Sequence, residues 1–161
     1  MVKVFIGLGS NLGDRKKNID NSIRLLHDPG NNVEILDRAS YYETEPVGPI
    51  QPWFINTAIK IETSLSPEEI LSKCKEVERR IGRVDSFRWG PRLVDLDLLL
   101  FGDRVVKTEQ LVLPHPQLEE RKFVLLPLIE LEAQLTHPVL GTPLENLLPK
   151  TEGDKKVVKL Q

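Results

Sequence analysis

Asp95 and Asp97 stand two residues apart in the otherwise apolar run Val94-Asp95-Leu96-Asp97-Leu98-Leu99-Leu100-Phe101. Read as a strand, this run points side chains two apart to the same face. The two carboxylates then stand side by side, with Leu96 and Leu98 turned to the other face. Paired carboxylates repel each other and are costly to desolvate. A divalent cation removes that cost, and carboxylate with phosphate oxygens is the usual environment of Mg²⁺. Two such ions ~3.5–4 Å apart are a common device in phosphoryl transfer. On an exposed edge strand, the same pair would simply be solvated.

Arg79, Arg80, Arg83, Arg88 and Arg92 run up to this strand. Arginine is always charged, and its planar fork fits phosphate oxygens. Arg79 and Arg80 read as solvated positions on a helix face, which leaves Arg83, Arg88 and Arg92 as phosphate ligands. Trp89-Gly90-Pro91 holds a ring in a constrained turn between Arg88 and Arg92. Metals for some oxygens and guanidiniums for the rest is what a triphosphate requires. Elsewhere, Phe54 and Asn56 fall on one face of a strand. A ring beside an amide suits a flat, hydrogen-bonding heterocycle, and a purely structural Asn is the plainer alternative. His115 lies between Pro114 and Pro116, with Arg121 and Phe123 close behind. It reads as a hydrogen-bond donor or stacking group rather than a metal ligand. His27 and His137 read as solvated structural groups, and Cys74 as a small core residue.

The elements that must carry these groups follow from periodicity and punctuation. Val2 to Leu8 reads as a buried strand, and Gly9-Ser10-Asn11-Leu12-Gly13 as a turn. Gly7-Leu8-Gly9-Ser10-Asn11-Leu12-Gly13 is one residue too long for the dinucleotide fingerprint, and the chain has no P-loop. Asp14 caps a helix reaching to about Asp28, with Ile19, Ile23 and Leu26 on one face. Val33 to about Glu43 reads as a second strand, and Pro46 to Pro52 as a shaped loop. Phe54 to Thr63 alternates as a third strand. Ser66, Pro67 and Glu69 form a capping box for a helix ended by Gly82. Its apolar face is Ile70, Leu71, Cys74, Val77 and Ile81. After the Asp95–Asp97 strand come a short strand near Val105-Val106, a helix near Phe123 to Glu132 and a short helix at Pro143 to Leu148. The order β-α-β-β-α-β predicts an α+β fold of the ferredoxin-like type, an antiparallel sheet flanked by helices.

Composition narrows the classes. The chain has 161 residues, which suits a single domain over 1–161. Lys plus Arg is 22 against 24 Asp plus Glu, a net charge of −2, so a general nucleic-acid coat or polybasic membrane module is not expected. The single cysteine excludes an internal disulfide and a cysteine-built zinc site. No run is long enough for a membrane span, and Asn11 and Asp14 come too early for a signal peptide, so the cytoplasm is the expected compartment.

The segment Arg88-Trp89-Gly90-Pro91-Arg92-Leu93-Val94-Asp95-Leu96-Asp97-Leu98-Leu99 closely resembles the R-W-G-P-R-x-x-D-L-D-[IL] signature of the 6-hydroxymethyl-7,8-dihydropterin pyrophosphokinases of folate biosynthesis. Further likenesses run in the family's order. They are Gly9-Ser10-Asn11-Leu12-Gly13, Tyr42-Glu43-Thr44-Glu45-Pro46 with Gly48-Pro49, Phe54-Ile55-Asn56, Glu78 with Gly82-Arg83, Pro114-His115-Pro116, and Glu120-Arg121 through Leu125. Together they cover about residues 2 to 130. The resemblance implies ATP-dependent transfer of pyrophosphate to the hydroxymethyl group of a reduced pterin, with release of AMP.

It further implies that Asp95 and Asp97 hold two Mg²⁺ ions, and that Arg83 and Arg92 act in catalysis with them. ATP would meet Lys75, Glu78, Arg83, Arg88, Arg92, Leu98, His115 and Arg121. The pterin would meet Thr44, Pro46, Val47, Phe54, Asn56, Trp89 and Phe123. Arg83, Arg88 and Trp89 would ride on a loop that closes over the substrates and excludes water. Asp85 stands where some members carry a basic residue, and Lys75 where some carry Gln. The expected partners are small molecules, with no nucleic acid, no membrane and a monomeric state. A non-catalytic nucleotide-binding module is the first rival, and the intact Asp95, Asp97 and Arg92 speak against it. An RNA-binding domain of the same fold would need a basic, aromatic sheet face, which the sequence lacks.

Overall fold

The computed structural model describes residues 1–46, 48–82, 93–151 and 155–160. Strand β1 (Val2–Ser10) leads to helix α1 (Arg15–Leu26), which Asp14 caps by accepting from the Lys17 N–H. Strand β2 (Val33–Arg38), strand β3 (Tyr42–Thr44) and the long strand β4 (Phe54–Thr63) follow. Helix α2 (Pro67–Ile81) carries the expected capping box between Ser66 and Glu69, and Gly82 ends it at φ 100°. A residue with a Cβ is strained at that angle, so the stop is built into the sequence. Strand β5 (Asp95–Phe101), the short pair β6 (Val106–Lys107) and β7 (Val112–Leu113), helix α3 (Lys122–Leu131) and strand β8 (Val157–Lys159) complete the chain.

The main sheet runs β5-β1-β4-β3-β8, with β2 also paired to β4, and all its pairings are antiparallel. Within it, β5, β1, β4 and β2 with the two helices α1 and α2 have the predicted α+β, ferredoxin-like arrangement. The expected single strand over Val33 to Glu43 is divided in two. β2 pairs with the far half of β4 and β3 with its near half. The short helix expected at Pro143 to Leu148 is a 3₁₀ helix over Leu144–Thr151. Ser10 still belongs to β1, so the turn starts later than the glycines suggest. No helix among the described residues is long and apolar enough to cross a membrane.

Two apolar cores lie on opposite faces of the sheet. Val4, Ile6 and Leu8 of β1, with Ile55, Ile59 and Ile61 of β4, meet Ile19, Ile23 and Leu26 of α1 and Ile70, Cys74 and Val77 of α2. Phe5, Ala58, Leu99 and Leu100 meet Leu125, Leu128 and Leu131 of α3, with Leu144 and Leu147. Strand β5 serves both cores through a β-bulge. Phe5 pairs with Leu100 but Ile6 with Leu98, so Leu99 is an extra residue. Leu99 and Leu100 thus both face the α3 side, and Phe101 returns to the helix-pair side. This explains an unbroken Leu-Leu-Leu-Phe run in a strand with two different faces. α3 covers only part of its face, and the uncovered part is the cleft.

Candidate active site

The cleft encloses about 200 Å³ and is lined mainly by β1, β3, β4, β5 and the start of α3. Its floor follows from sheet register. Gly7 of β1 lies between Asp97 and Ala58, and Gly9 lies between Asp95 and Asn56. A Cβ at Gly9 would stand 2.5 Å from Asn56 Oδ1, and one at Gly7 would stand 3.2 Å from Leu99 Cδ1. Those two missing side chains open the floor between the carboxylate strand and the Phe54–Asn56 strand.

At one end, Asp95 and Asp97 both line the cleft, as the alternation of β5 requires. Glu78, buried on the last turns of α2, holds the peptide between them, its Oε2 accepting from the Leu96 N–H at 2.9 Å. Among the described residues no further His, Cys, Asp or Glu joins the pair in a metal-binding group. Two carboxylates with the remaining positions left to water and phosphate oxygens is a donor set that suits Mg²⁺. Arg121 lines the same end. Burial lowers its pKa, and the negative charge of Asp97 opposes that lowering. The Arg121 guanidinium also donates to Gln117 Oε1 and lies 5.6 Å from the centroid of the Phe123 ring.

His115 sits behind this end. Its backbone N–H donates to Leu99 O at 3.0 Å, and its Nδ1 accepts from the Gln117 N–H at 3.3 Å. Burial pushes the imidazole pKa down to about 4, and the Arg121 charge adds to the lowering. The ring is therefore neutral at physiological pH, with its proton on Nε2.

At the other end, Phe54, Asn56, Thr44, Pro46 and Phe123 line the cleft. The Asn56 Nδ2 donates to Thr44 Oγ1 at 3.0 Å, which fixes the amide across two strands. The loop leading into β4 is tied to the first helix. Asn11 Nδ2 donates to Gln51 Oε1 at 2.8 Å and to Pro52 O at 3.0 Å. Arg15 donates to Trp53 O at 2.9 Å and pairs with Glu43 at 2.8 Å.

The structure thus brings Asp95, Asp97, Arg121, Thr44, Pro46, Phe54, Asn56 and Phe123 to one cleft, with His115 adjoining. Three expected nucleotide residues lie elsewhere. Leu98 is 4% exposed in the core beneath α1 and α2, on the opposite face from the carboxylates. Its side chain is a packing group, as strand parity demands. Lys75 is exposed on α2, and Glu78 is the buried clasp just described. Val47, Arg83, Asp85, Arg88, Trp89 and Arg92 lie outside the described residues. His137, expected to be solvated, is instead 4% exposed, its Nδ1 accepting from the Val139 and Leu140 N–H groups. His27 is exposed, as expected. Sequence reasoning missed Gly7, Gly9 and Glu45 as cleft residues. The glycine spacing was visible, but it resembled a turn rather than a floor.

Comparisons with known proteins bear on this cleft. The family model described as 7,8-dihydro-6-hydroxymethylpterin-pyrophosphokinase (HPPK) matches residues 5–133. The 2-amino-4-hydroxy-6-hydroxymethyldihydropteridine pyrophosphokinase of Aquifex aeolicus is 42% identical over 151 residues, covering 93% of this chain and 92% of its own. The protein of the same name from Bacillus subtilis is 46% identical over 132 residues, covering 81% of this chain and 78% of its own. The crystal structure of wild-type HPPK-DHPS of Plasmodium falciparum superposes with a TM-score of 0.70 at 15% identity. That match covers 92% of this chain and 44% of the solved chain, so the present chain spans less than half of it, and the likeness concerns the fold. Sequence identity over most of two relatives and the family match across both ends of the cleft lead to one assignment: this chain belongs to the 7,8-dihydro-6-hydroxymethylpterin-pyrophosphokinase family.

Proposed function

We propose that this cleft carries out ATP-dependent transfer of pyrophosphate to the hydroxymethyl group of 6-hydroxymethyl-7,8-dihydropterin, in folate biosynthesis, with AMP released. The observation that supports it most is the placing of a carboxylate pair and an aromatic–amide wall at opposite ends of one glycine floor. The reduced pterin lies flat between Phe54 and Phe123, with Asn56 and Thr44 reading its polar edge. Asn56 has Nδ2 engaged by Thr44, so its Oδ1 is the atom turned toward the β1 floor. The hydroxymethyl group then points along the floor toward Asp95 and Asp97.

Asp95 and Asp97 would hold two Mg²⁺ ions, whose charge would offset that of the phosphates. Arg121 adds a positive charge at that end, and His115 offers Nε2–H as a neutral donor to the nucleotide. By the family resemblance, Arg83, Arg88 and Arg92 would serve as further phosphate ligands, with Arg92 stabilising charge in the transition state, and Trp89 and Val47 as further pterin contacts. Glu78 acts from behind β5, through its hold on the Leu96 N–H between the two carboxylates. The protein works as a monomer in the cytoplasm, on small molecules.

Asp97→Ala should abolish metal binding at the pair and lower kcat by ~10²-fold or more, by analogy with the loss of a preorganised charge-stabilising group. AMP release from ATP and the reduced pterin, followed across Mg²⁺ concentrations, measures it. Near-normal turnover at ordinary Mg²⁺ would sink the assignment. The same assay separates an enzyme from a nucleotide-binding module, which would release no AMP.

A further inference from the structure

Strand β8 lies beyond residues 5–133, the segment matched by the family model. It pairs along the outer edge of β3, with Thr44 opposite Val157, Glu43 opposite Val158 and Tyr42 opposite Lys159. The pairing continues past both ends of the short strand. The Leu160 N–H donates to Tyr41 O at 2.8 Å, and the Glu45 N–H donates to Lys156 O at 2.9 Å. Glu45 Oε1 in turn accepts from the Lys156 N–H at 3.1 Å. Glu45 is thus held to the same residue through its backbone and its side chain.

A second tie reaches α3. Tyr42 donates its hydroxyl to Glu130 Oε1 at 2.6 Å, and Ser40 donates to Glu130 Oε2 through its N–H at 2.8 Å and its hydroxyl at 2.9 Å. Lys159 Nζ of β8 lies 3.8 Å from the same Glu130 Oε1.

The inner edge of β3 is what faces the site. Thr44 Oγ1 receives the Asn56 amide, and Glu45 and Pro46 line the cleft immediately after it. β3 has only three residues. A segment that short has little register of its own, and an unpaired outer edge would leave its peptide groups to water. We propose that β8 is a positioning element for the Thr44–Pro46 wall: it fixes β3 from outside, with Glu45 as the latch, so that Thr44 meets Asn56 in the binding register. The inference rests on the reading of that wall as the pterin side. β8 touches no substrate, and the carboxylate strand β5 lies four strands away, across β3, β4 and β1.

The test compares the full chain with a chain ending at Lys155. The pterin KM should rise by about tenfold, the scale of one or two lost hydrogen bonds, while the ATP KM and kcat stay within about twofold. Hydrogen exchange should speed up over residues 42–45 and stay unchanged in β1 and β5. Glu45→Ala should reproduce part of the effect. Glu45→Gln, which keeps a carbonyl acceptor, should leave exchange over residues 42–45 at the parent's rate. If the shortened chain does not fold, Lys156→Pro carries the test, because it deletes the N–H that Glu45 Oε1 accepts while keeping the Lys156 carbonyl, just before a strand where proline is tolerated. An unchanged pterin KM with unchanged exchange would overturn the proposal. So would a rise of the ATP KM in step with the pterin KM, which marks general loosening. The exchange arm needs no substrate. A parent chain without pterin turnover would therefore count against the reading of the cleft, while exchange still decides the role of β8.

Discussion

His115 shows how one half-buried side chain couples the site to pH. Burial first, and the Arg121 charge second, hold its pKa near 4, below the ordinary 6.5. The unfolded chain therefore takes up this proton before the folded one does. Stability tied to His115 is complete above about pH 6.5 and is lost as pH falls toward 4. Denaturant midpoints measured across that window should fall more steeply for the parent than for His115→Asn, and superimposable slopes would refute the assignment. At this scale the sequence was readable wherever a side chain declares its own chemistry. Asp95, Asp97 and Asn56 stood out by type and spacing, Arg121 and Phe123 came with the family resemblance, and all five line the cleft. Leu98 was misplaced because the resemblance carried it as a nucleotide residue although strand parity points it into the core. Gly7 and Gly9 escaped because what they contribute is the absence of a side chain, which only register reveals.

β1 is the element on which the cleft depends, since each of its two floor glycines faces a carboxylate on one side and β4 on the other. Gly9→Ala would place a methyl group 2.5 Å from Asn56 Oδ1, and the flexible amide rather than the backbone would have to give way. The expected result is a pterin KM raised by about tenfold with a near-normal ATP KM, and much less effect when Asn56 is already Ala. Additive effects in that double-mutant cycle would show that Gly9 acts elsewhere. The helices were legible at this scale because Asp14, Ser66, Pro67, Glu69 and Gly82 announce their ends by side-chain chemistry. The break between β2 and β3 was not, for Ala39-Ser40-Tyr41 contains neither Gly nor Pro. β8 was illegible for a related reason: three residues become a strand only because β3 is there to pair with them.

The whole molecule separates its duties by sheet face. The helix pair α1 and α2 closes one core, and α3 shares the other face with the cleft. The order of elements was enough to predict the antiparallel core of this sheet, because antiparallel neighbours and two long amphipathic helices leave few other arrangements. Ile19, fully buried on the inner face of α1, tests the division. Ile19→Ala should cost ~2–5 kcal/mol in denaturant unfolding while kcat of the folded protein stays within about twofold. A comparable loss of kcat at full folding would mean that the faces communicate.

One further consequence follows from the Glu78 clasp. Among the described strands β5 borders only β1, and a leucine-rich border strand is a template for pairing with another chain. Glu78 takes the Leu96 N–H, and the His115 N–H takes Leu99 O. Two of the backbone groups by which a stray strand would align are thus already engaged. The clasp that steadies the carboxylates also guards the molecule against edge-to-edge aggregation.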